Sequence, residues 1–170
     1  VKDAAELHMI VDLLRNDLGR VAIPGTVRVR QPRAIERHAT VLQTVAEVEA
    51  TLRSGVGFED IMAATFPCGS VTGAPKIMAM HHIDQLEASP RGPYCGAIGW
   101  LGNDDFEFSV AIRTAFFEPE ASGHRLTWGT GGGIVADSDP DEEWHETQTK
   151  HRVLDLALAP WMHQTTHPLP

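Results

Sequence analysis

The sequence predicts an α+β fold in which helices pack on a sheet. Helical patterns dominate the first 90 residues, strand patterns follow, and one more helical pattern comes near the end. Separation of helices from antiparallel-looking strands is typical of this class. The chain has 170 residues, of which 42% are hydrophobic. These values suit one domain with its own core, predicted as residues 1–158 followed by a tail at 159–170.

The first part of the chain carries apolar residues at helical spacing. Pro24-Gly25 marks a turn, and the alternating residues Val27–Arg30 predict a short edge strand. Gly69 and Gly73 indicate a loop that leads into Pro75, a residue suited to the first turn of a helix. Four helices are predicted: residues 2–17 with Gly19 as C-cap, a stripe of Val41, Val45, Val48 and Leu52, residues 58–64, and a helix carrying Ile77, Met80, Ile83 and Leu86.

The second part of the chain carries the strand patterns. We predict strands at Tyr94–Leu101, Phe106–Phe117 and Arg125–Trp128. A further buried strand, Ile134–Ala136, is expected directly after a run of three glycines. The last helix is predicted from Pro140 to Leu158, with these residues inward in part: Trp144, Thr147, Val153, Leu154 and Leu158.

Charge and composition exclude several classes of protein. Fourteen basic and 23 acidic residues give a net charge of −9, which argues against a nucleic-acid partner because phosphate binding needs a basic stripe. No apolar run approaches the roughly 20 residues of a membrane span, and no signal-peptide pattern opens the chain. Cys68 and Cys95 lack metal-ligand spacing. We therefore expect a cytoplasmic protein with reduced thiols.

Two acid pairs have helical spacing, and they lie near opposite ends of the chain. Asp3 and Glu6 form the first pair, and Glu143 and Glu146 form the second. Residues three apart share one helix face, so a fold that joined the faces would gather four carboxylates. Oxygen ligands of this kind suit Mg²⁺. The alternative interpretation is that both pairs are solvated surface.

Three further features suggest an anion site. The run Gly131–Gly133 allows positive φ and close approach of a ligand to backbone N–H groups, or it is a plain bulge or turn. Arg113 stands in an apolar strand pattern, where a guanidinium needs an anion, either a ligand carboxylate or a structural partner. Tyr94, the one tyrosine, either donates to a ligand or packs as a core ring. No catalytic nucleophile is evident.

Several motifs together resemble the chorismate-utilising enzymes, which include anthranilate synthase component I and aminodeoxychorismate synthase component I. The resemblance extends from about Lys2 to Lys150. The motif Gly69–Lys76 and the motif Gly133–Ser138 are most similar to the aminodeoxychorismate type. The elements that carry the family resemblance are Glu6–Val21, Ser70–Lys76, Arg91–Gly99, Ala111–Thr114 and Gly131–Lys150.

The resemblance implies the C-terminal half of a two-layer α/β sandwich and a Mg²⁺-dependent amination of chorismate in folate (para-aminobenzoate) biosynthesis. The alternatives are anthranilate synthesis, in tryptophan biosynthesis, and a degenerate segment that only binds a ligand or a partner. By resemblance, the metal residues are Glu6, Glu146, Asp3 and Glu143. The implied substrate-binding residues are Tyr94, Arg113, Gly131, Gly133, Lys150 and Thr72.

The resemblance also implies partners and shows two departures. The missing N-terminal half and a glutamine amidotransferase, as the source of ammonia, are the expected partners. The family's usual histidine is absent, because Leu42 and Gln43 stand in a segment predicted as helical, and His38 lies about one turn away. Met78 replaces a usual basic residue. We expect residues 1–170 alone to be inactive on chorismate.

Overall fold

The computed structural model describes residues 2–37, 42–121 and 123–162. The chain forms two compact units, residues 1–90 and 91–170. All strand pairs among the described residues are antiparallel, and the α+β class is confirmed. The elements are α1 Lys2–Gly19, β1 Arg28–Arg37, β2 Leu42–Glu49, α2 Phe58–Thr65, α3 Lys76–Leu86, β3 Ala97–Leu101, β4 Phe106–Val110, β5 Ala115–Glu120, β6 Gly123–Trp128 and α4 Pro140–Met162.

In the first unit, α1 packs against the β1–β2 hairpin, α2 and a short 3₁₀ turn at Gly69–Val71. Helix α1 ends at Gly19, as predicted, and buries Val11 and Leu13. A Cβ built on Gly69 would lie 3.0 Å from Leu13 Cβ, so the helix and the turn approach closely. These contacts place the core of this unit along one side of α1.

A partly buried ion pair ties α1 to α3 in the first unit. Lys76 Nζ lies 2.5 Å from Asp17 Oδ2, and the two side chains are only 16% and 5% exposed. Charges removed from water in this way are tolerated only when they are paired. The pair fixes the start of α3 against the end of α1.

The helix predicted from Val45, Val48 and Leu52 is wrong. Leu42–Glu49 is strand β2, paired with β1 from Arg28↔Glu49 to Arg37↔Leu42. Valine is β-branched and favours strands, and Val48 lies between two exposed glutamates, Glu47 and Glu49. The expected edge strand is accordingly longer than Val27–Arg30. Val41 and His38 lie outside the described residues.

In the second unit, four strands form two separate hairpins, β3–β4 and β5–β6. The long strand predicted at Phe106–Phe117 is interrupted between Val110 and Ala115. Arg113 stands in that break with φ 51°, a left-handed conformation that is uncommon for residues other than glycine. The mid-strand position predicted for Arg113 is therefore wrong.

Helix α4 follows an irregular segment, residues 129–139. The strand expected at Ile134–Ala136 is absent from that segment, which corrects the prediction. Asp139 begins the helix, since its Oδ1 accepts from the backbone N–H of Asp141 at 3.0 Å and of Glu142 at 3.1 Å, a standard N-cap. The helix reaches Met162, past the end predicted at Leu158.

The buried face of α4 only partly follows the prediction. Leu154 is buried, whereas Trp144 is 62% exposed and Val153 is 50% exposed. The inward placement predicted for these last two residues is wrong. The polar residue Glu143 is buried instead, at 6% exposure. Within the described ranges, no helix is both long and apolar enough to cross a bilayer.

Candidate functional site

The irregular segment after β6 passes close to Tyr94. A Cβ built on Gly129 would overlap the Tyr94 ring and would lie 2.9 Å from Tyr94 Cβ. A Cβ built on Gly131 would lie 3.1 Å from the Tyr94 hydroxyl oxygen. Neither Gly131 nor its neighbours Gly132 and Gly133 has positive φ. The glycines thus permit close approach, and the positive φ expected for them is wrong.

Gly132 lies where three charged side chains of α4 meet. A Cβ built there would stand 3.3 Å from Glu143 Oε2, 3.8 Å from Glu146 Oε1 and 3.9 Å from Lys150 Nζ. The residues are spaced by three and four positions, so they lie on one face of the helix. Any side chain longer than hydrogen at this position would enter the space that these groups share.

Lys150 links the helix to the glycine segment. Its Nζ donates to the Gly131 carbonyl at 3.1 Å and lies 2.6 Å from Glu146 Oε1. The Lys150 side chain is 26% exposed and that of Glu146 is 45% exposed. The ammonium therefore holds the backbone of Gly131 beside the two carboxylates.

Glu143 is oriented by a short hydrogen-bonded chain. The Val135 backbone N–H donates to Ser138 Oγ at 3.0 Å, and the Ser138 hydroxyl donates to Glu143 Oε1. A backbone bond from Ser138 N–H to the Val135 carbonyl at 3.0 Å closes the same turn. Glu143 and Ser138 also line an open cavity of about 360 Å³.

The second acid pair fits a hard cation in its donor chemistry. Carboxylate oxygens of Glu143 and Glu146 both lie near Gly132, which has no side chain, and Mg²⁺ prefers oxygen ligands together with several waters. No group of three or more His, Cys, Asp or Glu side chains suited to a metal occurs in the part of the chain that the structure describes. Two protein carboxylates with water or substrate oxygens match the usual Mg²⁺ arrangement.

The other predicted site residues belong to other elements of the chain. Glu6 is on α1 in the first unit, and the side chain of Asp3 lies outside the described residues, so the metal role of this pair stays a prediction. Thr72 Oγ1 donates to the Cys68 carbonyl at 3.0 Å, which is a structural contact. Arg113 is exposed. The expectation that Arg113 needs an anion assumed a buried guanidinium, so it does not hold for this exposed side chain.

Residues 1–155 match the model of one protein family, the chorismate binding enzymes. The chain belongs to the chorismate binding enzyme family. It is 46% identical over 159 residues to anthranilate synthase component 1 of Saccharolobus solfataricus, covering 93% of this chain and 37% of that protein. It is 43% identical over 158 residues to aminodeoxychorismate synthase component 1 of Bacillus subtilis, covering 92% of this chain and 33% of that protein.

A solved structure agrees with the family assignment. Anthranilate synthase component I from Streptococcus pneumoniae superposes with a TM-score of 0.74 at 36% identity, covering 88% of this chain and 34% of that one. The predicted chorismate-binding fold is thereby confirmed. The chain spans about a third of the length of the curated relatives it matches.

Sequence reasoning missed two residues of this candidate site. In the sequence, Gly132 is only the middle of a glycine run, although it is the glycine around which the charged groups gather. Ser138 has no role predicted from the sequence, although its hydroxyl reaches Glu143. A serine just before Asp139-Pro140, where Asp139 caps the helix and proline takes its first position, is a signal that could have placed Ser138 beside the first turn.

Proposed function

We propose that this chain supplies the acidic part of a chorismate-amination site, as part of a component 1 type synthase. The observation that carries the proposal is the meeting of Glu143, Glu146 and Lys150 at Gly132. Two carboxylates and one ammonium lie beside a glycine segment without side chains. Together they form a site for a metal and an anion. Family membership makes chorismate the substrate that we propose.

Charge pairing assigns a role to each group. Chorismate carries two carboxylates. Glu143 and Glu146 would hold Mg²⁺, which would supply positive charge for the carboxylate on the ring. Lys150 keeps the Gly131 segment in place through its bond to that carbonyl. The hydroxyl of Tyr94, which lies close to Gly131, and the N–H groups of Gly131 and Gly133 bind the pyruvyl carboxylate.

Arg113 completes the recognition of the pyruvyl carboxylate in this proposal. Its exposed guanidinium presents two N–H groups in a plane, which matches a carboxylate better than the point charge of a lysine. Its left-handed backbone, φ 51°, is a conformation that costs energy and is often found at functional sites. The pairing with Arg113 rests on the family resemblance.

The reaction that we propose is substitution at the chorismate ring by ammonia. A C–N bond forms, the C–O bond to the 4-hydroxyl breaks, and the hydroxyl leaves as water after taking up a proton. A glutamine amidotransferase subunit or domain would deliver the ammonia, and a cytoplasmic location suits both. The inactivity of residues 1–170 by themselves stays a prediction.

Two products are in question. The amino-acid sequences of Gly69–Lys76 and Gly133–Ser138 favour aminodeoxychorismate as the product. Anthranilate is favoured by relatives such as the 46% identical protein of Saccharolobus solfataricus. Anthranilate, which is aminobenzoate, contains no enolpyruvyl group, so its formation from chorismate releases pyruvate. Aminodeoxychorismate keeps that group.

The test is a product assay with chorismate, Mg²⁺ and ammonium. It uses the intact protein, meaning the synthase of which we propose this chain to be a part. We expect chorismate to be consumed and an aminated product to form without stoichiometric pyruvate. Pyruvate released in step with a fluorescent product would establish the anthranilate alternative. Binding of chorismate without turnover, even with an amidotransferase added, would favour the degenerate ligand-binding segment and would contradict the proposed activity.

A further inference from the structure

Ser138 stands between the glycine segment and the buried acid of α4, and nothing in the family assignment gives it a role. Its Oγ accepts from the Val135 N–H at 3.0 Å and its hydroxyl donates to Glu143 Oε1. A hydroxyl has one proton and two acceptor positions. Since the backbone N–H occupies an acceptor position, the proton is free to point at the carboxylate.

The two oxygens of Glu143 thereby become different. Oε1 is the oxygen that Ser138 holds, and Oε2 is the oxygen that faces Gly132, 3.3 Å from where a Cβ would be. A carboxylate attached to a helix by three single bonds can otherwise turn among several rotamers. The bond from Ser138 fixes one of them while Glu143 is 6% exposed.

We propose that Ser138 is a positioning residue that aims Glu143 Oε2 at the metal and substrate space beside Gly132. This inference rests on the proposed function, since it presumes that Glu143 binds Mg²⁺. Hydrogen bonds to ligating carboxylates orient the ligand, and their loss typically costs about 10-fold to 100-fold in metal affinity. Ser138 contacts neither metal nor substrate in this proposal.

The turn that contains Ser138 also connects the glycine segment to the start of α4. Val135 lies two residues after Gly133, and Ser138 lies directly before the N-cap Asp139. The hydrogen bonds between Val135 and Ser138 hold the glycine segment at the start of α4. A substitution that removes the hydroxyl alone leaves the backbone bond from Ser138 N–H to the Val135 carbonyl in place.

The experiment compares Ser138→Ala and Ser138→Thr in the intact protein. Mn²⁺ is titrated in place of Mg²⁺ and the free ion is measured by electron paramagnetic resonance, without chorismate. We expect Ser138→Ala to raise the Kd for Mn²⁺ by about 10-fold or more. Ser138→Thr, which keeps the hydroxyl, should recover most of the affinity. Thermal unfolding in EDTA is recorded for each protein.

Two controls separate positioning from a structural role. Thr149→Ala removes a hydroxyl from the same helix, where Oγ1 donates to the His145 carbonyl at 2.9 Å, and it should leave the Kd unchanged. Asp139→Ala removes the helix cap. An equal loss of Mn²⁺ affinity in Asp139→Ala and Ser138→Ala would overturn the inference. The loss would then result from a disturbed start of helix α4 and not from the missing hydroxyl.

The remaining outcomes are also decisive. Wild-type affinity in Ser138→Ala would overturn the positioning role while leaving the proposed metal site intact. Failure of the wild-type protein to bind Mn²⁺ or Mg²⁺ at all would count against the proposed function itself, and against Ser138 with it. A loss in Ser138→Ala that Ser138→Thr does not recover would also contradict the role of the hydroxyl.

Discussion

The contact between Lys150 and the glycine segment gives the sharpest prediction about stability. Lys150 Nζ donates to the Gly131 carbonyl at 3.1 Å and pairs with Glu146 at 2.6 Å. Lys150→Met keeps an unbranched side chain of similar helix propensity but removes both contacts. The glycine segment then loses its tie to α4.

The expected loss in the free energy of unfolding follows from these two contacts. The pair with Glu146 is 26% and 45% exposed, so solvent screens it and it contributes about 0.3–0.5 kcal/mol, as exposed i,i+4 pairs do. A hydrogen bond from a charged donor contributes about 1.5–3 kcal/mol, and the lower end applies to a partly exposed ammonium. We expect Lys150→Met to destabilise the protein by about 2 kcal/mol.

Urea unfolding followed by circular dichroism, in EDTA, measures this loss as a lower midpoint at unchanged slope. Arg125→Met is the matched control. It removes the ion pair with Glu120, whose side chains are 64% and 40% exposed, and should cost less than about 1 kcal/mol. Equal losses in the two variants would refute the reasoning, since Lys150 would then be an ordinary surface ion pair.

Three further predictions follow from particular contacts. Gly129→Ala places a methyl group into the Tyr94 ring and should cost about 1–3 kcal/mol in the same unfolding assay; wild-type stability would contradict this packing. Asp17→Asn leaves the Lys76 ammonium, 16% exposed, without its charged partner and should cost about 1–3 kcal/mol, whereas Asp17→Asn with Lys76→Met should recover part of it; an additive loss would contradict the pairing. Arg113→Lys should weaken chorismate binding in calorimetry, because lysine lacks the planar two-point contact, and unchanged affinity would remove Arg113 from the site.

Motifs in the sequence were sufficient to predict the fold class and the chorismate-binding family. Local signals also placed the end of α1 at Gly19 and the start of α4 at Pro140. Glycine, proline and capping residues act within one turn of themselves. Their effects can therefore be read from neighbouring residues alone.

Patterns whose meaning depends on distant partners gave wrong predictions. The valines of β2 recur at helical spacing, yet the segment is a strand because β1 pairs with it along Arg28–Arg37. Similarly, alternation around Arg113 predicts one long strand, whereas β4 ends at Val110 to pair with β3 and β5 begins at Ala115 to pair with β6. Strand pairing depends on distant residues, and it decides the structure where local spacing or alternation suggests another one.

The candidate site was only partly predictable for a similar reason. The spacing of Glu143, Glu146 and Lys150 shows that they share a helix face, and the resemblance assigns them a role. The convergence on Gly132 and the bond from Ser138 to Glu143 depend on how the segment after β6 folds back on α4. The glycines of this segment permit that backbone conformation but do not determine it.

Calorimetric titration of chorismate into the intact protein, with Mg²⁺ and again with EDTA, tests the acidic site most directly. Binding should require Mg²⁺, and Glu146→Gln, a change at a half-exposed side chain, should weaken the Mg²⁺-dependent binding by at least about 10-fold. Equal affinity for chorismate with Mg²⁺ and with EDTA, in the wild type and in Glu146→Gln alike, would contradict a metal-bridged substrate site on α4.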